Sequence, residues 1–332
     1  MGLNDNIVRV FWEGSGEPFF TQKRVLRKAL PEKVIMKYAL FLGCAIPIKY
    51  PGFEAATRLV CERLGIRLVD LPFSCCPPPT SMKLVHYDSW LALAARNICL
   101  AEESGLDILT LCSGCVNTLK EANYVLKHSD GRKRKVNKVL ADHNHQFKGT
   151  TQVTHILDVL YQDNVAEKIF SGKVREIPLR IGCHYGCHYS RPPRLMFPHE
   201  LSAAESYVPV KMDHLLSLIG VEPTEYSRKF LCCGSPLGKN ADEDAGYAIT
   251  REKLVHIAER DIQALSVICP TCFEQFDMGQ MVLARKTKEK LNIPTFFLTQ
   301  LIGLALGMNP KELGLDVHRV KSKKLLENIG VS

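Results

Sequence analysis

Ser74-Cys75-Cys76-Pro77-Pro78-Pro79, followed by Cys112-Ser113-Gly114-Cys115, has a second copy in Cys232-Cys233-Gly234-Ser235-Pro236 followed by Cys269-Pro270-Thr271-Cys272. In both copies 35 residues separate the adjacent pair from the C-x-x-C, and all four cysteines recur at one offset of 157. Turn-forming residues follow each adjacent pair. A fixed offset over such a distance marks an internal duplication, so each half is expected to build the same kind of site.

The segments around these cysteines read as alternating strands and helices. Val34 to Gly43 is apolar and β-branched, a buried strand ending at Cys44, and Gly52 to Leu64 has helical spacing up to Gly65. Ile66 to Leu71 is a second strand running into Cys75-Cys76. Ser89, as N-cap, opens a helix to Glu103, and Leu106 to Leu111 is a strand into Cys112. A further helix starts at Cys115, where free amides and the helix dipole favour a thiolate. The second half repeats the order. A strand at Ile177 to Gly182 leads to Cys183 and Cys187, Met212 to Gly220 is helical, Lys229 to Leu231 leads to Cys232-Cys233, Ala245 to Leu265 is helical, and Ser266 to Ile268 leads to Cys269.

The expected fold is therefore α/β: two pseudo-symmetric Rossmann-like domains with parallel sheets and cysteines at the C-terminal ends of strands, where such sheets gather ligands. The division is an N-terminal extension at 1–36, a first domain at 37–150 and a second at 151–332. Trp12, Phe19 and Phe20 give the extension means to dock on the body or on a partner, the other reading being a frayed terminus.

Composition narrows the class. Of 332 residues, 46% are hydrophobic and 23% charged, as in globular proteins. The apolar run from Phe296 to Met308 is interrupted by Thr299 and Gln300 and reads as a buried helix, so no membrane span is expected. The first ten residues carry Asp5 and Arg9 and lack a signal-peptide core, so the expected location is cytoplasmic. The net charge of +8 is modest, and the basic run Lys127 to Lys135 has no interleaved aromatics. It is expected to be a solvated loop, and no nucleic-acid partner is implied.

Thirteen cysteines in a reducing compartment point to metal or redox chemistry rather than disulfides. Three chemistries compete for the repeated set. A structural zinc ion needs four ligands, and each half offers five; a thiol-disulfide oxidoreductase needs one reactive pair, not two repeated sets. Iron-sulfur clusters, one per half, fit best. Cys61 and Cys99 fall inside helices and read as core residues. His184 and His188 flank Cys187 and suit a metal ligand, a proton donor or a polar loop residue; Arg191 suits an anionic substrate group.

FLGC ending at Cys44, SCCPPP, AARNICLAE at 94–102, CSGC and GCHYSRP at 186–192 together resemble the CCG domain, in two copies, as in the B subunit of heterodisulfide reductase. The resemblance runs from Lys37 to about Met308 and extends to the variant found in sulfur-metabolising organisms. It implies a catalytic iron-sulfur protein, an oxidoreductase acting on sulfur groups, that reduces a small disulfide or runs thiol or sulfane-sulfur oxidation in reverse. It also implies a noncubane 4Fe-4S cluster in each half, the first on Cys44, Cys75, Cys76, Cys112 and Cys115 and the second on Cys187, Cys232, Cys233, Cys269 and Cys272. In the family the disulfide lies between the clusters, and electrons come from a ferredoxin-like partner, the C subunit, fed by a flavin-containing one, the A subunit. This chain shows no flavin motif of its own. His188 is the candidate catalytic residue. Cys183 competes with Cys187 as fifth ligand, since 44 residues separate Cys187 from Cys232 against 30 between Cys44 and Cys75. The other reading is an electron relay for a flavoenzyme oxidising an organic acid such as glycolate, lactate or succinate.

Overall fold

The computed structural model describes residues 36–78, 81–198 and 208–331. The N-terminal extension, with Trp12, Phe19 and Phe20, lies outside them. The described strands form two four-stranded sheets, all parallel. The first contains β1 (Met36–Phe41), β2 (Ile66–Asp70), β3 (Asp107–Thr110) and β4 (Val153–His155), in the order β2-β1-β3-β4. The second contains β5 (Arg180–His184), β6 (Glu222–Pro223), β7 (Ala264–Val267) and β8 (Thr295–Phe297), in the equivalent order β6-β5-β7-β8. The duplication in sequence is thus a duplication in topology.

The helices that matter to the site are α1 (Pro51–Leu64), α2 (Tyr87–Glu103), α3 (Ser113–Lys127), α4 (Asp130–Ala141), α5 (Ile156–Leu160), α6 (Lys211–Leu218), α7 (Glu243–Ala258), α8 (Pro270–Thr287) and α9 (Leu298–Ala305). The helix that follows the last strand of each sheet packs on the other half. α9, in which every residue is buried, packs on α1, and α5 packs on α6. The sheet-completing strand β4 lies beyond residue 150, so the expected division at 150/151 falls just before the segment that finishes the first sheet.

An aromatic stack ties the halves together. Phe297, at the end of β8, lies parallel to Phe53 of α1 with centroids 3.7 Å apart, and 4.4 Å from Phe273 of α8. Nearby, the Thr57 and Thr299 hydroxyls are 3.2 Å apart. Phe297→Ala removes the centre of this stack and leaves a cavity in a core with little freedom to collapse. We expect a loss of about 3–5 kcal/mol of unfolding free energy, read from the denaturant midpoint.

Several local expectations are corrected. The helix at 87–103 is capped by His86, whose imidazole accepts from the Ser89 N–H at 3.2 Å, so Ser89 is inside the helix and not its cap. The basic run Lys127 to Lys135 is not a loop: from Asp130 it is the start of α4. Lys and Arg are good helix formers, Ser129 caps the turn, and the hidden anchors Val136 and Leu140 lie beyond the run. Residues 229–231 form a turn, and the edge strand of the second sheet is β6 instead. The segment 245–265 divides into α7 and β7, and the apolar run at 296–308 divides into β8 and α9. In the second case a buried strand and a buried helix share one largely apolar run, and in the first a turn at 259–261 and two further residues separate helix from strand. Among the described residues no helix is long and apolar enough to cross a membrane.

Candidate metal centre

Each half delivers its cysteines from the same three places. In the first, Cys44 follows β1, Cys75-Cys76 lie in extended chain after β2, and Cys112 and Cys115 flank the first turn of α3, with Cys112 as N-cap. In the second, Cys187 follows β5, Cys232-Cys233 precede the turn at Gly234, and Cys269 caps α8 with Cys272 in its first turn. Glycine makes the close approaches possible. Gly43 has φ +67° and Gly186 φ +76°; a Cβ on Gly43 would sit 2.9 Å from the Cys115 Sγ, and one on Gly186 3.4 Å from the Cys272 Sγ. Both positions need the left-handed backbone and the missing side chain.

The thiols form one continuous chain. Within side-chain hydrogen-bonding reach of one another are Cys44 and Cys75, Cys75 and Cys76, Cys76 and Cys115, then Cys115 and Cys112. Cys112 reaches across to Cys269, and from there the order runs Cys272, Cys233, Cys232, Cys187. The second sequence mirrors the first, position for position. Cys76 is held well below the usual thiol range by hydrogen bonds from Cys115 and Cys75, Cys269 by those from Cys112 and Cys272, and Cys232 is lowered by those from Cys187 and Cys233. Their neighbours Cys75, Cys115 and Cys187 are pushed up by the same bonds and by burial. Such packing of soft sulfur donors, lowered thiols set against raised ones in each half, suits iron or another thiophilic metal.

Nine of these ten cysteines, all but Cys232, line one cavity of about 300 Å³, together with His188, Ser113, Ser235 and Lys239. Cys183 is not there. It is fully buried within β5, beside Asp213, and burial raises its thiol. Cys187, not Cys183, occupies the place that Cys44 takes in the first half. Arg191 is exposed and does not line the cavity, while Cys61 and Cys99 are fully buried core residues.

Buried polar side chains pin the cysteine loops. Asn97 of α2 accepts from the Ser74 N–H at 2.9 Å and donates to the Cys75 carbonyl at 3.1 Å. In the second half, Thr250 donates to the Cys233 carbonyl at 2.9 Å, and the Lys253 ammonium donates to the Leu231 carbonyl at 3.1 Å and to that of Arg228. Burial presses Lys253 down to about 8, against the pull of the Cys272 and Cys233 thiols. Asn117 of α3 crosses between halves to donate to the carbonyls of His188 (3.2 Å) and Arg191 (2.7 Å). These supports were missed from sequence. The available signal was a lone amide, Asn97, among the buried positions of the run AARNICLAE.

His184, one of the two histidines singled out beside Cys187, is on β5 and fully buried. Its ring nitrogen and the sulfurs of Cys233 and Cys272 all lie within 4.8 Å of one another, a grouping suited to a metal ion. Burial pushes the imidazole down to about 3, so the ring is neutral.

Comparison with known proteins agrees with this arrangement. The model of the CCG cysteine-rich domain matches residues 38–120 and 181–277. The B subunit of the ferredoxin/F420H2-dependent CoB-CoM heterodisulfide reductase of Methanosarcina acetivorans is 37% identical over 88% of this chain and 97% of its own length. The 8-methylmenaquinol:fumarate reductase membrane anchor subunit of Wolinella succinogenes is 30% identical over 87% of this chain and 99% of its own. The crystal structure of a hypothetical protein from Helicobacter pylori shares the fold, with a TM-score of 0.64 at 18% identity over 86% of this chain; the match spans about half of that longer chain (52%). Two matched domains, repeated topology and mirrored thiols lead to one conclusion: the chain belongs to the CCG cysteine-rich family and is related to the B subunit of heterodisulfide reductase.

Proposed function

We propose that this chain is the catalytic iron-sulfur component of a heterodisulfide reductase-like complex. The reaction is R–S–S–R′ + 2 e⁻ + 2 H⁺ → RSH + R′SH, or its reverse on thiols or sulfane sulfur as in sulfur-metabolising organisms. The ligand sets are Cys44, Cys75, Cys76, Cys112 and Cys115 for one noncubane 4Fe-4S cluster and Cys187, Cys232, Cys233, Cys269 and Cys272 for the other. The observation that carries this reading is the mirrored chain of ten thiols, which meets at Cys112 and Cys269 on the wall of a single cavity. Bound clusters would supply one-electron steps and thiophilic iron. The protein's own part is to hold the thiols on glycine-shaped loops, to seat the disulfide between the halves, and to deliver protons. His188, on the cavity wall beside Cys187, is the proton donor to a departing thiolate. Electrons arrive from a ferredoxin-like partner and a flavin-containing partner, the C and A subunits of such a complex, as expected for relatives that are themselves subunits of oxidoreductase complexes.

His188→Gln leaves all ten thiols in place, so iron content should hold while turnover falls by about 10²–10⁴-fold, the scale of a lost general acid. Unchanged turnover would remove His188 from the mechanism.

The relationship to a component of fumarate reductase favours a second reading, in which the chain relays electrons for a flavoenzyme acting on an organic acid. Electron paramagnetic resonance of the oxidised protein separates the two. Signals altered by small thiols or disulfides, and unmoved by glycolate, lactate or succinate, support the reductase; the opposite pattern supports the relay.

A further inference from the structure

The two halves differ at one buried position under the thiols. In the first sheet Phe41 pairs with Thr110, and in the second His184 pairs with Val267. Thr110 and Val267 are repeat equivalents at the offset of 157, and Cys44 and Cys187 follow Phe41 and His184, respectively, by three residues. His184 therefore stands where the first half has phenylalanine. Both rings are fully buried against an aromatic neighbour: Phe41 lies 5.0 Å from Phe73, and His184 meets Phe276 edge-on at 4.9 Å. Packing alone is satisfied by phenylalanine, as the first half demonstrates. An imidazole at this place carries two polar nitrogens; neither makes a well-formed hydrogen bond among the described residues, and the one backbone acceptor beside the ring is the Lys229 carbonyl. Leaving such a group unpaired costs about 1–3 kcal/mol. The sulfurs of Cys233 and Cys272 lie within 4.8 Å of a ring nitrogen, and they compete with the Lys229 carbonyl for its N–H. At the place of the buried Lys253 the first half also carries a cation, Arg96, at the repeat position.

We propose that the His184 imidazole donates an N–H hydrogen bond to a thiolate of the Cys233–Cys272 pair, making the redox centre of the second half the more easily reduced of the two. The inference rests on the reading above, that each half holds an iron-sulfur cluster. An N–H donor to a ligating sulfur withdraws electron density and stabilises the added electron, which raises the reduction potential. Phe41 offers the first half no such donor. The two sites, mirrored in their thiols, are inequivalent as electron acceptors, and an electron entering the protein settles first in the second half. His184 is a positioning residue for charge and not an iron ligand.

The test is His184→Phe, which gives the second half the residue the first half already has and keeps a ring against Phe276. Iron and acid-labile sulfide are measured on anaerobically purified full-length chain, followed by a potentiometric titration read by electron paramagnetic resonance. The expected result is unchanged iron, with half of the cluster signal shifted to lower potential and the other half unmoved. His184→Gln, which restores an N–H donor, should bring the shifted half back toward wild type. Full iron with unmoved potentials would overturn the proposal while leaving the functional reading intact, and loss of iron in both variants would overturn it by making His184 a ligand. Absence of iron from the wild-type chain would overturn the functional reading and, with it, this one.

Discussion

Cys75→Ser is expected to lower the iron content from about eight to about four atoms per chain, as loss of one of two four-iron clusters requires. Cys75 lies between Cys44 and Cys76 in the thiol chain, so its removal breaks the first half's set near one end without touching the second. A serine hydroxyl is close in size but is not a soft, ionised donor. Turnover with a disulfide should fall by at least about a hundredfold, the scale that changes beyond the ligands themselves already reach. Reduction needs two electrons, and only one site remains to pass them. The result is read by iron and sulfide analysis beside a reductase assay with an artificial electron donor. A variant that kept both clusters and full activity would remove Cys75 from the ligand set.

Gly43→Val is expected to have a comparable effect without deleting any sulfur. The backbone there is left-handed, which costs an L-residue roughly 1–2 kcal/mol. The larger consequence is local: the new Cβ would stand 2.9 Å from the Cys115 Sγ, so that thiol must leave its place. Iron should again fall toward about four per chain. Gly105→Val is the matched control. Gly105 has φ +62° with nothing within 4 Å of an added Cβ, so it carries the strain without the obstruction. That variant should lose some stability and keep its iron. Equal iron loss in both would mean that backbone strain, not the clearance beside Cys115, is what matters at Gly43.

Much of this architecture was legible from the cysteine spacing, because a duplication at a fixed offset constrains both halves at once. The two sheets have the same strand order, and both C-x-x-C motifs sit at helix N-termini, as the alternation of strand and helix patterns implied. Cys183 and Cys187 were harder to tell apart, since the offset breaks between Cys187 and Cys232. Gly186 carries the answer: it matches Gly43 in its left-handed conformation and places Cys187, not Cys183, beside the other thiols.

Other features left no periodic trace. β4 and β8 are three residues each, too short to signal against the helices that follow. The basic run hid the start of α4 because its charges mask the two apolar anchors further on. The crossing from Cys112 to Cys269, and the equivalence of His184 with Phe41, are relations between segments far apart in sequence, and only the folded chain brings them together.

We propose that ten mirrored thiols hold two iron-sulfur clusters. This is tested most directly by measuring iron, zinc and acid-labile sulfide per chain on protein purified without oxygen. About eight irons with matching sulfide and no stoichiometric zinc is the expected result. Stoichiometric zinc without sulfide would contradict the claim, because thiol sets filled by a metal with no redox chemistry cannot pass electrons to a disulfide.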